Sequence, residues 1–190
     1  MIAELIKRNR SYRRFYQEVR IEIETLKRLV NLARLSPSAA NLQPLKYILS
    51  SDPKKNALIF PHLSWAGYLK GRPAPPEGER PPAYIILVGD TEISKSFGCD
   101  HGIACQSILL GAVEEGLGGC IIGSIQRKAL RKAIGIHEQY EILLVIALGR
   151  PKETVVIEDV RSDGEIRYWR DNESIHHVPK RSLEDIIISL

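Results

Sequence analysis

Two strand-length runs that contain almost no polar side chain constrain the fold of this chain more than any other feature. Residues 83–90 read AYIILVGD, and residues 140–149 read YEILLVIALG. A strand with one face in water alternates polar and apolar side chains, so these runs predict strands that are covered on both faces. Segments with helical patterning surround them. The pattern therefore predicts a three-layer sandwich, α/β or α+β, with helices on both sides of a sheet.

The other elements follow from local patterns. An amphipathic helix is predicted over 22–35, because Leu26, Leu29, Val30 and Ala33 fall on one of its faces. Further helices are predicted over residues 1–9, 100–117 and 126–135, with Asp100 as an N-cap, and further strands over 46–50 and 118–124.

The length of the chain suits one domain. Its 190 residues are 44% hydrophobic and 26% charged, close to the averages of globular proteins. We therefore predict a single domain over 1–190. Residues 60–82 differ from the rest, since the run RPAPPEGERPP disfavours regular structure. We predict that this segment is a flap or excursion within the domain and not a linker.

Several classes of protein are disfavoured. The chain has no GxGxxG after a strand, no P-loop motif and no GxSxG. Cys99, Cys105 and Cys120 lack CxxC spacing, and no histidine has a partner at metal-ligand spacing, so we expect neither disulfides nor a metal site. The charged N-terminus does not resemble a signal peptide, and no apolar run reaches the roughly 18 residues of a membrane helix. We expect a soluble, cytoplasmic protein without a membrane partner.

The net charge of +4 is compatible with nucleic acid, an anionic cofactor or a solvated basic surface. The positive charges are scattered over several elements instead of forming one recognition face, so we expect no nucleic-acid partner. A more specific cluster is the run Arg10-Ser11-Tyr12-Arg13-Arg14-Phe15. In an extended backbone Ser11 and Arg13 would share a side, and guanidinium groups beside a hydroxyl bind phosphate well. The alternative is a solvated basic face.

A second cluster, SPSAANLQP over 36–44, joins the amphipathic helix to the strand at 46–50. Its small residues would let another backbone or a flat ring approach closely, and Asn41 and Gln43 add amide donors and acceptors. The alternative is an ordinary loop between a helix and a strand.

Taken together, these clusters resemble the nitroreductase (flavin reductase) family. The chain has R-S-x-R-x-F over 10–15 and P-S-x-x-N-x-Q-P over 37–44. The run GGCIIGS over 118–124 stands where the family has a glycine-rich strand, and Pro-Lys-Arg over 179–181 stands where it has phosphate-binding basic residues. The resemblance covers nearly the whole chain. It implies an α+β fold with a mainly antiparallel central sheet, and a homodimer with FMN at the subunit interface.

The resemblance also assigns roles to residues. It implies that Arg10, Ser11, Lys180 and Arg181 hold the FMN phosphate and that Arg13 lies near the ribityl chain or the pyrimidine edge. A loop of the partner subunit would contribute the positions that correspond to Pro37, Ser38, Ala39 and Asn41. The backbone of Cys120, Ile121, Ile122 and Gly123 would run along the flavin, with the amide of Ile122 or Gly123 near its N5 atom.

The implied activity is hydride transfer from NAD(P)H through FMN to a nitroaromatic, quinone or similar electrophilic acceptor. The reactive atoms belong to the flavin, so no catalytic side chain is expected. Trp65, Tyr68 and Leu69 form an apolar patch in 60–82, which either packs as a surface loop or shapes the acceptor pocket. The alternative function is an FMN-binding sensor, a dehalogenase-like protein or a flavin carrier.

Overall fold

The four predicted strands form one antiparallel sheet. In the computed structural model, which describes residues 1–65, 67–68, 74–162 and 164–189, these strands are β1 (Leu45–Ser50), β2 (Ala83–Asp90), β3 (Gly118–Ile122) and β4 (Tyr140–Gly149). Their order across the sheet is β1-β2-β4-β3, and each neighbouring pair is antiparallel. The two most apolar runs are therefore the two central strands, as their composition requires.

Both faces of the sheet are buried. On β2, the side chains of Ala83, Ile85 and Leu87 belong to one hydrophobic cluster, and those of Tyr84 and Ile86 belong to the other. Every residue of β2 is buried. The prediction of an α+β sandwich with a mainly antiparallel sheet covered by helices is confirmed.

The described residues form six α-helices, four of which lie where helices were predicted, over 1–9, 22–35, 100–117 and 126–135. They are α1 (Ile2–Arg8), α2 (Ile23–Leu35), α3 (Pro53–Ile59), α4 (Asp100–Glu114), α5 (Arg127–Ile134) and α6 (Leu183–Ile186). Leu26 and Leu29 of α2 pack with Ile108 of α4 on one face of the sheet, whereas Ile59 and Leu130 cover the other face from α3 and α5. Among the described residues, none of these helices combines the length and apolarity needed to span a bilayer.

Two local features differ from the sequence predictions. Cys99, not Asp100, occupies the N-cap of α4, and Asp100 stands in the first turn with its carboxylate directed at a neighbouring loop. Helix α3 was not predicted, because it has only seven residues, but Asp52 caps it by accepting a hydrogen bond from the backbone N–H of Lys55 at 2.9 Å.

A second, smaller sheet follows the central one. It consists of β5 (Val155–Asp159), β6 (Trp169–Arg170) and β7 (His176–Lys180), with β7 in the middle, parallel to β5 and antiparallel to β6. The polar composition of this region did not predict it. We call β5, β6 and β7 together the C-terminal sheet.

Candidate functional site

The segment 10–14 lies along the outer edge of β3. Ser11 forms a parallel bridge with Gly119, and the backbone N–H of Tyr12 donates to the carbonyl of Gly119 at 3.0 Å. Phe15 is fully buried directly after the segment, and an added Cβ on Gly149 would come within 2.6 Å of the Phe15 ring. The segment is therefore fixed at one end by the β3 edge and at the other by a core side chain.

The arginines of segment 10–14 have few acidic partners. Arg14 pairs with Glu79 at 3.4 Å, but no carboxylate of the described residues lies within ion-pair distance of the side chains of Arg10 or Arg13. Arg10 donates to the carbonyl of Ile6 at 2.8 Å, and its buried Nε atom has no partner among the described residues. The segment therefore presents two cationic side chains that form no ion pair in the described part of the chain.

Glu153 holds the backbone of the same segment. Its carboxylate accepts a short hydrogen bond from the N–H of Arg13 and a second one, at 3.2 Å, from the N–H of Arg14. Adjacent amides of an extended strand point to opposite edges, so their convergence on one oxygen means that the chain turns at Arg13. The uniformly extended backbone assumed for Ser11 and Arg13 is therefore wrong at this residue.

The strand β3 offers a free edge beyond its bridge to Ser11. An added Cβ on Gly119 would come within 2.6 Å of the carbonyl oxygen of Ala147, so only glycine fits there. Backbone groups alternate along a strand, and Ile121 therefore directs its N–H and C=O to the same outer edge as Gly119. Ile122 directs its own groups towards β4. Of the four predicted residues over 120–123, Ile121 and Gly123 are exposed, while Cys120 and Ile122 are buried.

Cys120 lies behind this edge as a neutral side chain. Burial raises the pKa of its thiol, Glu153 adds to the rise, and Arg13 and a hydrogen bond with Ser11 oppose it. A neutral buried thiol is a poor nucleophile. The arrangement is consistent with a backbone role for Cys120.

The loop over 36–43 is held by Asp100. The hydroxyl of Ser38 donates to one oxygen of the Asp100 carboxylate at 2.6 Å, and the N–H of Ala39 donates to the other at 3.0 Å. The Asp100 residue is only 4% exposed. The same Ser38 hydroxyl accepts a hydrogen bond from the N–H of Gln43 at 3.0 Å, which closes the loop on itself.

The backbone of this loop is strained. Ala40, Asn41 and Gln43 have φ angles of 49°, 54° and 50°, in the left-handed region that residues other than glycine rarely adopt. Strain of this kind persists only where the surroundings enforce it, and it is concentrated at functional sites. Pro37, Ala39 and Asn41 are exposed. The loop therefore presents a fixed, unusual backbone to whatever contacts it.

One cavity in the described part of the chain borders predicted site residues. A cavity of about 210 Å³ borders the loop and includes Pro37, Ser38 and Asp100 in its wall. A larger cleft of about 940 Å³ lies elsewhere, and its charged residues are Glu18, Arg20, Glu22, Asp52, Glu77 and Arg80. Because acids outnumber arginines there, the larger cleft is poorly suited to a phosphate group.

Within one chain the structure brings part of the predicted site together, since Ser11 and Arg13 lie next to Cys120, but other predicted residues lie apart from them. Among the described residues, no hydrogen bond or ion pair joins segment 10–14 to the loop over 36–43. Lys180 ends β7 and Arg181 follows it, both exposed and with side chains that bond to no described residue. Because β7 begins at His176 beside Arg13, Lys180 lies about 13 Å further along the strand.

The predicted acceptor residues have different surroundings. Trp65 is 6% exposed and packs on Phe60 with ring centroids 5.7 Å apart, which favours the packing interpretation for this residue. Tyr68 is 57% exposed and lies 5.1 Å from the ring of Tyr168. Leu69 lies outside the described residues.

Sequence reasoning missed two residues of this region. Tyr168 stands between the excursion and segment 10–14, since the guanidinium of Arg13 lies 5.1 Å from the centre of its ring. Glu153 contacts the segment from 140 positions away. Neither residue belongs to a local motif, so no pattern in the sequence could have indicated their positions.

Known proteins resemble this chain over most of its length. The model of the nitroreductase family matches residues 6–150. A protein of Archaeoglobus fulgidus, named for NADH dehydrogenase and NAD(P)H nitroreductase activity, is 30% identical over 148 residues, covering 74% of this chain and 80% of its own. An FMN-dependent nitroreductase structure from Clostridium difficile is 26% identical, with a TM-score of 0.66, and covers 80% of this chain and 88% of its own.

More distant structures share the fold. A nitroreductase family protein from Streptococcus pneumoniae is 16% identical, with a TM-score of 0.74, and the alignment covers both chains completely. A structure from Exiguobacterium sibiricum, solved in complex with FMN, is 18% identical with a TM-score of 0.67 and covers 80% of this chain and 89% of its own. The family match and the relatives agree with the motifs, and we conclude that the chain is an oxidoreductase of the nitroreductase family.

Proposed function

We propose that this protein is an FMN-dependent oxidoreductase, a cytoplasmic homodimer that passes hydride from NAD(P)H to a nitroaromatic, quinone or similar electrophilic acceptor. The proposal rests mainly on segment 10–14, where Arg10 and Arg13 form no ion pair with any described residue and lie beside the free edge of β3. The relative from Clostridium difficile is named as FMN-dependent, and that from Archaeoglobus fulgidus as an NAD(P)H nitroreductase. Both names agree with the proposal.

The residues present fit FMN. The buried Nε atom of Arg10, which bonds to no described residue, and the guanidinium of Arg13 suit a phosphate or another anionic group. Like charges held close together repel each other unless an anion lies between them, so a bound phosphate would stabilise the segment. Gly119 allows close packing at the base of β3, and Ile121 directs a backbone N–H outwards along the exposed edge. These donors could face a flat, polar ring.

Bound FMN would supply the hydride chemistry, and the protein would supply binding and electrostatics. The guanidinium of Arg13 can offset negative charge that develops at the site during reduction. The turn that Glu153 imposes directs this guanidinium towards Tyr168. We propose that Lys180 and Arg181 add further positive charge at the phosphate.

We propose that the loop over 36–43 acts on the site of the partner subunit. Three observations support this arrangement: the loop is exposed, its backbone is fixed, and no hydrogen bond or ion pair among the described residues joins it to segment 10–14 of the same chain. Tyr68, exposed and in contact with Tyr168, would border the acceptor, whereas the buried Trp65 would support the excursion from below.

The cofactor is tested by the colour of the purified protein and by chromatography of the flavin that it releases on denaturation. We expect a yellow protein that releases FMN and not FAD, because the cationic residues suit one terminal phosphate. Release of FAD, or failure to take up any flavin during reconstitution, would contradict the proposal. A colourless protein that retards DNA would instead support the nucleic-acid-binding alternative.

A further inference from the structure

Three distant parts of the chain meet at the Glu153 carboxylate. One oxygen accepts the backbone N–H groups of Arg13 and Arg14, and the other forms a short ion pair with Arg170 of β6. The Glu153 side chain is 3% exposed and that of Arg170 is 16% exposed. Both carboxylate oxygens are therefore used, and the contacts are shielded from water.

Arg170 is the cation that offsets the charge of Glu153. The nearby His176, with its Nδ1 atom 4.0 Å from the carboxylate, is neutral near pH 7, because burial and the charges of Arg13 and Arg170 lower its pKa to about 4. Removing one partner of a buried ion pair is strongly destabilising. The contact with segment 10–14 therefore depends on β6.

The contacts determine where the side chain of Arg13 points. Because two successive amides converge on Glu153, the backbone at Arg13 has one conformation, and its guanidinium lies over the ring of Tyr168. Both Glu153 and Arg170 come after residue 150, where the match to the family model ends. Glu153, just before the C-terminal sheet, and Arg170 within it therefore support a segment that lies inside the matched region.

We infer that Glu153, paired with Arg170, is a positioning residue that preorganises segment 10–14 for binding FMN. This inference rests on the proposed function. Glu153 does not touch the reacting atoms. It fixes the backbone from which Arg13 and Ser11 act, so the segment need not become ordered when the cofactor binds.

The test compares Glu153→Gln with Glu158→Gln. Glu158 forms an ion pair with His177 within the C-terminal sheet and does not contact segment 10–14, so its variant controls for general weakening of that sheet. FMN affinity is measured by fluorescence titration well below the melting temperature of each apoprotein. We expect Glu153→Gln to weaken FMN binding about tenfold or more, because it removes a charge-assisted contact, and Glu158→Gln to change it less than about twofold.

Equal affinity of Glu153→Gln and wild type would overturn the inference, and so would an equal loss in Glu158→Gln. If Glu153→Gln does not fold, the double variant Glu153→Leu, Arg170→Leu removes both buried charges together and leaves the two amides without an acceptor. A folded double variant with wild-type FMN affinity would also refute the inference.

Hydrogen exchange separates this inference from the proposed function. Exchange at the amides of Arg13 and Arg14 in the apoprotein should be at least about tenfold faster in the Glu153 variant than in wild type, and unchanged in Glu158→Gln. If wild type binds no FMN but this difference appears, the proposed function fails and the structural role of Glu153 stands. If wild type binds FMN but neither exchange nor affinity changes, only the inference fails.

Discussion

Segment 10–14 and the loop over 36–43 are each held by a buried carboxylate, Glu153 in the first case and Asp100 in the second. Glu153 is paired with the guanidinium of Arg170. Asp100 has no cationic partner among the described residues, and its charge is offset by the N-terminus of α4 and by two donors from the loop.

The difference lies in how far the supporting contacts reach along the chain. Asp100 belongs to α4, which packs on α2. The loop over 36–43 follows directly after α2 in the chain. Glu153 joins segment 10–14 to β6, near the other end of the chain. The loop is thus supported by the central sandwich, whereas the segment depends on the C-terminal sheet.

The largest loss of FMN binding is expected for variants that test whether segment 10–14 and the loop over 36–43 act in one site from different subunits. Two variants are compared: Arg13→Ala, and the double variant Ser38→Ala, Asn41→Ala. As homodimers, each should lose most FMN binding, about a hundredfold for Arg13→Ala. Refolding the two together should restore about a quarter of the wild-type sites, because half of the dimers are mixed and each has one intact site. FMN stoichiometry measures the recovery.

The control mixes Arg13→Ala with Arg10→Ala, which alter the same half of the site. No sites should be recovered in that mixture. If the first mixture also recovers nothing, although each variant is folded, the loop and the segment do not form a shared site between subunits.

A smaller loss of FMN affinity is expected for a variant that tests whether segment 10–14 alone supplies the positive charge of the phosphate site. Replacing Lys180 and Arg181 together by alanine should weaken FMN binding by about tenfold to a hundredfold with the fold retained, since their side chains bond to no described residue. The variant Lys128→Ala, Lys132→Ala on α5 removes equal charge away from the site and should not weaken binding. Unchanged affinity in the first variant would restrict the phosphate site to the segment.

Measurements of stability and FMN affinity together test whether Asp100 supports the site as well as the fold. Asp100→Asn should lower the free energy of unfolding by about 1–3 kcal/mol, because one donor of the loop loses its charged acceptor, and it should weaken FMN binding as well. Asp52→Ala, which removes the cap of α3, should cost about 1 kcal/mol and leave FMN binding unchanged. Denaturant unfolding and FMN titration measure both quantities. A loss of stability without any loss of FMN affinity would show that Asp100 supports the fold and not the FMN site.

These two regions also differ in what the sequence could predict. The loop over 36–43 was found from its residues, because prolines, small residues and amides at fixed spacing are local signals. Its positive φ angles at Ala40 and Gln43 were not predicted, since neither residue is typical of that conformation. The central strands were predicted because unbroken apolar runs indicate burial on both faces of a sheet.

The support of segment 10–14 could not be predicted in the same way. Its arginines were identified, but Glu153 and Tyr168 reach them only through long-range packing. The C-terminal sheet has a polar sequence and short strands, so it lacks the periodicity that indicates strands. Asp100 was predicted as a helix cap because its position fits one, yet its carboxylate is used by the loop.

The smallest effect that we expect is a dependence of stability on pH through two histidines of the C-terminal sheet. Burial lowers the pKa of His176 to about 4, whereas hydrogen bonds with Asp171 and Glu158 raise that of His177. The contribution of His176 to stability is therefore complete above about pH 6.5 and is lost as the pH falls towards 4. That of His177 is complete below its unfolded-state pKa and is lost as the pH rises through its raised value. Titration of both rings by NMR measures these values, and equal pKa values would contradict the packing described here.

Adding NADH or NADPH to the FMN-loaded protein without oxygen tests the proposed oxidoreductase activity most directly. We expect one of the two nucleotides to bleach the flavin absorbance and a nitroaromatic or quinone then to restore it over repeated cycles. A flavin that binds tightly but is bleached by neither nucleotide would contradict the proposed oxidoreductase and favour a sensor or a flavin carrier.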